Sequence, residues 1–198
     1  MIETGIFGGS FNPIHCGHIA LARQIMRAAR MDEVWFVVSP LNPFKQAATD
    51  LLDDDLRLEI ARQALSDETG LIASDYEFHL PRPSYMWNTL RSLSSDYPER
   101  TFSLIIGADN WLAFDRWHRA EDILARYRII VYPRKGSPIA ASSLPPTVRL
   151  VDTELYPVSS TQIRERVRRG ESIDGMVPPN VISLVERYYS PSPDSASR

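Results

Sequence analysis

Short apolar runs separated by segments of helical period constrain this chain more than any other feature. Ile2 to Phe7 is apolar and ends in Gly8-Gly9, so it reads as a buried strand running into a loop. Val34 to Ser39, "VWFVVS", is β-branched and aromatic and too short for a helix. "TFSLIIGAD" (Thr101 to Asp109) and "YRIIVYPR" (Tyr127 to Arg134) are two more strong strands, with weaker ones at Leu71 to Ser74 and Val148 to Asp152. Between them, apolar positions recur at helical spacing. Ile19, Ala22, Met26 and Ala29 mark a helix from His18 to Arg30, and Leu56, Ile60, Ala61 and Ala64 mark one capped by Asp53 or Asp54 and reaching Leu65. Further helices are predicted over Tyr85 to Leu93, Thr161 to Arg169 and Asn180 to Tyr189. Strands that alternate with helices predict an α/β fold: a doubly wound, mostly parallel sheet with helices on both faces.

The 198 residues, 43% hydrophobic and 24% charged, suit one folded domain over 1–190. The Ser/Pro-rich residues 191–198 read as a disordered tail, and Gly136 to Pro146 as a surface loop. A net charge of -3 gives no long-range pull toward nucleic acid or an anionic membrane. No stretch reaches the ~18 apolar residues that a membrane span requires. The single cysteine cannot form an intramolecular disulfide, and the N-terminus lacks a basic region followed by a long apolar run. A cytoplasmic location is the expectation.

"GGSFNPIHCGH" (Gly8 to His18) lies where the first strand hands over to the first helix, the end of a parallel sheet at which ligands bind. Three chemistries compete for it. A metal site would use His15, Cys16 and His18, but His79 and His118 fall in segments with no matching cluster. A thiol nucleophile would use Cys16, whose place at a helix N-terminus predicts an enhanced thiolate fraction, yet nothing completes a triad. A phosphate cradle would use the glycines for close backbone approach and the positive end of the helix. Neither G-x-G-x-x-G nor G-x-x-x-x-G-K-[ST] occurs, so a nucleotide site here belongs to neither of those classes. A fourth reading is plain helix capping. "VSSTQIRERV" (Val158 to Val167) then sets Ser159, Ser160 and Thr161 at a helix N-terminus with Arg164 one turn on, a second anion site. Two anion sites at the ends of one sheet suggest a triphosphate.

"GGSFNPIHCGH" resembles the G-x-F-x-P-x-H-x-G-H signature of the nucleotidylyltransferase superfamily, and "SSTQIR" its distal S-[ST]-T-x-[IL]-R signature. Between them "NPFK" (Asn42 to Lys45), "SYMWNTL" (Ser84 to Leu90) and "IIGADNWLAFDRWHRAEDI" (Ile105 to Ile123) follow the order of one branch, the bacterial nicotinate-nucleotide adenylyltransferases. The resemblance implies a Rossmann-like fold and transfer of the adenylyl group of ATP to nicotinate mononucleotide, with release of pyrophosphate. It implies His15, His18 and Arg164 as catalytic residues, and Gly8, Gly9, Ser10, Phe11, Lys45, Gly107, Asp109, Arg134, Ser159, Ser160 and Thr161 at ATP. It implies Tyr85, Met86, Thr89 and Trp117 at nicotinate mononucleotide, with Trp117 stacking on the pyridine ring. Magnesium would enter as Mg2+ on the substrate phosphates, with no protein cage. No nucleic acid or membrane partner is implied, and a homo-oligomer is left open. Met86 stands where the family usually carries a threonine, which bears on acid against amide selectivity. Three alternatives remain: another acceptor such as nicotinamide mononucleotide or phosphopantetheine, a non-catalytic nucleotide-binding regulator, and a hydrolase using Cys16.

Overall fold

The structure, a computed structural model, describes residues 1–40 and 50–191. Lys45 and the 192–198 part of the tail lie outside the described residues. In chain order the elements are β1 (Ile2–Gly9), α1 (Cys16–Ala29), β2 (Glu33–Val38), α2 (Asp54–Ala64), β3 (Leu71–Ser74), α3 (Met86–Asp96) and β4 (Arg100–Gly107). Then follow α4 (Ala108–Leu112), α5 (Ala120–Arg126), β5 (Arg128–Tyr132), β6 (Val148–Leu150), α6 (Ser160–Arg168) and α7 (Ile182–Tyr189). Short 3-10 turns occupy Tyr76–His79, Phe114–Arg116, Ala141–Ser143 and Pro179–Val181.

The strands form a six-stranded sheet in the order β3-β2-β1-β4-β5-β6, and every pairing is parallel, where the sequence predicts a mostly parallel sheet. This is the doubly wound order, with its reversal between β1 and β4. Phe7 of β1 pairs in register with Phe36 of β2 and Ile105 of β4. Alternate residues of each strand feed two cores. Phe7, Phe36, Ile105 and Ile130 pack under α1, α2, α6 and α7, while Ile6, Val37, Leu104 and Val131 pack under α3, α4 and α5. Each buried side chain of this kind contributes roughly 1.5–3 kcal/mol.

Two elements are absent from the sequence prediction. α4 spans only 5 residues and α5 only 7, too few turns for a periodicity to emerge. α5 also opens on Arg119 in the left-handed region at φ 58, not on a polar cap. The predicted helix from Asn180 starts as a 3-10 turn and becomes α-helical at Ile182. Asp53 precedes α2, but its side chain makes no capping hydrogen bond.

Candidate active site

The C-terminal ends of β1 and β4 diverge at the reversal, and a cleft of two joined lobes opens there. The larger, about 670 Å³, is lined by Ser10, Phe11, His15, Gly17, His18, Asp109, Arg134, Ser159, Ser160, Thr161 and Arg164. The smaller, about 410 Å³, takes in Glu77, Ser84, Tyr85, Met86, Gly107, Arg116 and His118. Phe7, Gly8, Gly9, Asn110, Trp117 and Tyr132 border both.

The histidines are held by one another. His15 is the N-cap of α1, and its Nδ1 accepts from the backbone N–H of His18 at 3.3 Å. His18 Nδ1 accepts in turn from the backbone N–H of His15, also at 3.3 Å, and the two rings stack with centroids 3.6 Å apart. A ring nitrogen that accepts carries no proton, so the proton of each neutral imidazole sits on Nε2. Both rings are therefore set as Nε2–H donors in the larger lobe. Burial, followed by the charge of Arg134, lowers the pKa of His15 to about 4, so it is neutral near pH 7. Gly17 explains why the spacing is H-x-G-H. A Cβ there would lie 3.1 Å from the His15 ring and 3.2 Å from Tyr156 Cβ, so a larger residue would push the ring by a few tenths of an ångström from its place on the helix.

The second motif docks directly onto the first. Ser160 Oγ donates to the Pro13 carbonyl at 2.8 Å, and Arg164 Nη1 donates to the Asn12 carbonyl at 2.8 Å. Ser159 caps α6 by accepting from Gln162 N–H at 3.2 Å. The hydroxyls of Ser159 and Ser160 thus serve the scaffold. The backbone N–H groups of Ser160 and Thr161, in the first turn of α6, have no intrahelical acceptor and line the lobe. Arg164 is nearly buried, and besides Asn12 it donates from Nε and Nη2 to Asp50 Oδ2 at 3.0 and 2.6 Å.

On the opposite wall, Arg134 lies 3.7 Å from Asp109 and donates to the Tyr132 hydroxyl at 3.3 Å, its guanidinium 5.3 Å over the Tyr132 ring. Gly107 makes room for that pair, because a Cβ there would fall 2.4 Å from Asp109 Oδ1 and 3.1 Å from Arg134. Trp117 borders both lobes, whereas Trp87 is core under Arg119 and Arg126 and Trp111 stacks on Phe114. Tyr85 and Met86 line the smaller lobe, and the Tyr85 ring faces His118 at 4.6 Å. Thr89 does not reach either lobe. It is fully buried behind the wall, and its hydroxyl donates to Glu77 Oε1 at 2.8 Å.

Cys16 departs from expectation. Burial pushes its thiol above the ordinary range, the reverse of an activated thiolate. Among the described residues no three His, Cys, Asp or Glu side chains gather into a metal-binding group. Asp109, a half-exposed carboxylate on the wall of the larger lobe, suits a magnesium ion that arrives on a triphosphate and keeps most of its water.

Several residues of the site escape sequence reasoning. Asn12 accepts from Tyr189 Oη at 2.7 Å and donates to the Asp50 carbonyl at 2.9 Å, which ties the motif to α7 and to the start of α2. Tyr132, two residues before Arg134 at the end of β5, is found by asking which strand ends face the reversal. Arg57 is fully buried and donates to the carbonyls of Leu52, Ser39 and Ser10. An arginine on a helix in a soluble domain gives no sign of this.

The fold and the paired helix-cap site define the class: the cytidylyltransferase-like family model matches residues 6–166, and the chain is a nucleotidyltransferase of that kind. A Bacteroides fragilis protein is 50% identical over 92% of this chain and 90% of its own length. One from Bacteroides thetaiotaomicron is 47% identical over 96% and 94%, and both are named probable nicotinate-nucleotide adenylyltransferases. The chain belongs to the nicotinate-nucleotide adenylyltransferase family. The fold is shared with the Plasmodium falciparum nicotinic acid mononucleotide adenylyltransferase in complex with NaAD, at TM-score 0.78 and 20% identity, with 95% of this chain and 96% of that one covered.

Proposed function

We propose that the cleft transfers the adenylyl group of ATP to nicotinate mononucleotide, giving nicotinate adenine dinucleotide and pyrophosphate. The observation that carries this reading is the reciprocal His15–His18 cap, which turns both Nδ1 atoms to the backbone and both rings into the lobe that the α6 N-terminus also lines. ATP lies in the larger lobe and the mononucleotide in the smaller, with Trp117 stacked on the pyridine ring where the two meet. An oxygen of the mononucleotide phosphate attacks the α-phosphorus, and the bond to the β-phosphate oxygen breaks. That attacking group is already ionised near pH 7, so no general base is required. The residues position the reactants and meet charge developing on the phosphoryl oxygens. His18 and His15 donate to the α- and β-phosphate oxygens, Arg134 neutralises charge from the opposite wall, and the α6 N–H groups hold the distal phosphates. The Asp109 carboxylate on the wall of the larger lobe would help hold a magnesium ion arriving on the triphosphate, which would supply further charge neutralisation. A single domain over 1–190 and a cytoplasmic location accompany this reading, supported by the lone cysteine and by the lack, among the described residues, of a helix long and apolar enough to span a membrane.

The test is pyrophosphate release from ATP and magnesium with nicotinate mononucleotide, followed with Cys16→Ala and His18→Ala. The first variant is expected to keep most of the activity and the second to lose about 10²-fold or more, the scale of a removed oxyanion donor. No release with either the nicotinate or the nicotinamide mononucleotide, or loss in Cys16→Ala alone, overturns the reading.

A further inference from the structure

The loop that carries the histidines is gripped from behind by a residue that borders neither lobe. Asn12 is 5% exposed, and both ends of its side-chain amide are engaged. Nδ2 donates to the Asp50 carbonyl at 2.9 Å, while Oδ1 accepts from Leu52 N–H at 3.2 Å and from Tyr189 Oη at 2.7 Å. The backbone carbonyl of Asn12 accepts from Arg164 Nη1, and the next carbonyl, that of Pro13, accepts from Ser160 Oγ. The loop after β1, the segment before α2, the start of α6 and the end of α7 therefore meet at one amide. Tyr189, the last residue of α7, is 7% exposed, and its ring packs in the core shared by α1, α2, α6 and α7. It lines neither lobe, so it touches no substrate bound there. An amide oxygen only accepts, so the Tyr189 hydroxyl is the donor, and burial keeps that hydroxyl protonated by raising its pKa.

We propose that Tyr189 is a positioning residue for the transfer reaction: by donating to Asn12 it holds the histidine loop and the Arg164 guanidinium in place for the triphosphate. This rests on the reading of the cleft as an adenylyl-transfer site. Of the three hydrogen bonds made by the Asn12 side chain, the one from Tyr189 is the shortest. It is also the only one that comes from a helix. The other two come from the backbone of Asp50 and Leu52, in the irregular segment before α2. Tyr189 thus ties the loop to a helix that is itself packed on α2 and α6. Without the hydroxyl, the amide oxygen keeps only its longer bond to Leu52, and a buried acceptor that has lost its stronger donor is a destabilised arrangement. The loop relieves it by shifting toward water. Such a shift carries Pro13 to His15 with it and moves the Asn12 carbonyl away from Arg164. A displacement of about 1 Å in groups that position reactants is enough to slow a reaction by about 10²-fold.

Tyr189→Phe keeps the ring and removes only the donor. With ATP and nicotinate mononucleotide saturating, kcat for pyrophosphate release is expected to fall about tenfold, while KM for the mononucleotide, held in the other lobe, stays unchanged. Tyr188→Phe is the control: its hydroxyl donates to Glu59 at 3.0 Å on the surface, and its loss is expected to leave kcat as it was. Because Tyr189 acts through Asn12, the double variant Asn12→Ala with Tyr189→Phe is expected to be no slower than Asn12→Ala alone. A second measurement needs neither turnover nor a stable Asn12 variant. In the ligand-free protein, amide hydrogen exchange at His15 and His18, whose N–H groups make the reciprocal cap, is expected to quicken about tenfold in Tyr189→Phe, with β1 and β4 unchanged. A merely structural Tyr189 lowers the melting temperature and leaves kcat of the folded protein intact. An unchanged kcat in Tyr189→Phe, losses that multiply in the double variant, or unchanged exchange at both histidines overturns the proposal. No turnover of either mononucleotide by the unaltered enzyme overturns the function instead, and the exchange result then decides the tether by itself.

Discussion

The reciprocal cap of His15 and His18 turns the Nδ1 atom of each ring to a backbone N–H and keeps the His15 ring neutral near pH 7. An imidazolium carries N–H on both nitrogens, and at His15 or His18 its Nδ1–H would point at a backbone N–H. Protonation therefore opposes the cap, in keeping with the His15 pKa of about 4. The sign for stability follows. The unfolded chain takes up a proton at this residue near pH 6.5, and the folded chain does so only near pH 4. Across that window the unfolded state binds more protons, so stability rises with pH. The contribution of His15 is complete above about pH 6.5 and lost as pH falls toward about 4, a change of about 3 kcal/mol. Urea unfolding at pH 7 and at about pH 4 is expected to show that loss, and His15→Asn, which keeps a capping oxygen but does not titrate, is expected to show a smaller one. Equal pH dependence in the two proteins would refute the assignment. The sequence marks both histidines and the Ser-Ser-Thr cap as candidates, and the structure brings them together around one lobe. What spacing leaves open is their mode of action, since the same H-x-G-H also fits a metal or a nucleophile until the Nδ1 atoms are seen to face the backbone.

At the level of elements, the loop after β1 owes its shape to an arginine that belongs to α2. Arg57 contributes nothing to either lobe, yet it gathers the carbonyls of Ser10 and Ser39, which follow β1 and β2, and pairs with Asp54 at 2.5 Å. Removing it leaves the buried carbonyls of Ser10, Ser39 and Leu52 without this donor, while the partly exposed Asp54 carboxylate keeps only Arg82, at 3.0 Å. Arg57→Ala is expected to destabilise the protein by about 3–5 kcal/mol, the usual cost of breaking a buried pair from one side. Urea or thermal unfolding checks this, and a loss below about 1 kcal/mol, the level of a surface pair, would show that water replaces the guanidinium. The strands themselves are legible because short apolar runs, bounded by glycine or polar residues, fall on β1, β2, β4 and β5, which span five to eight residues. Arg57 is not, because a charged residue in a helical pattern is ordinarily solvated and only tertiary contacts reveal otherwise. Short α4 and α5 fail for the opposite reason: they are positioned by the strands they follow or precede, with little periodic signal of their own.

Across the whole molecule, the crevice between β1 and β4 is completed by an ion pair that spans the chain. Asp50, just before α2, holds Arg164 of α6, while Asn12 joins both to Tyr189 of α7. The carboxylate occupies the guanidinium that a triphosphate bound in the larger lobe would recruit, so anion binding and this contact compete for the same donors. The pair also fastens α6 to the loop that carries the histidines. Asp50→Asn removes the competing charge and keeps an oxygen for Arg164. KM for ATP is therefore expected to fall several-fold, while stability drops by about 1 kcal/mol, since the amide is the weaker acceptor. Both quantities come from initial rates at varied ATP and from urea unfolding of the same preparations. A raised KM with lowered stability would mean that Asp50 orients Arg164 for phosphate and does not compete with it. No such pairing is written in the sequence, because 114 residues separate the partners and neither stands in a spacing that points to the other. The packing of α6 against the segment before α2 brings them together, and under the proposed function the readiness with which Asp50 gives up the arginine would set the affinity for ATP.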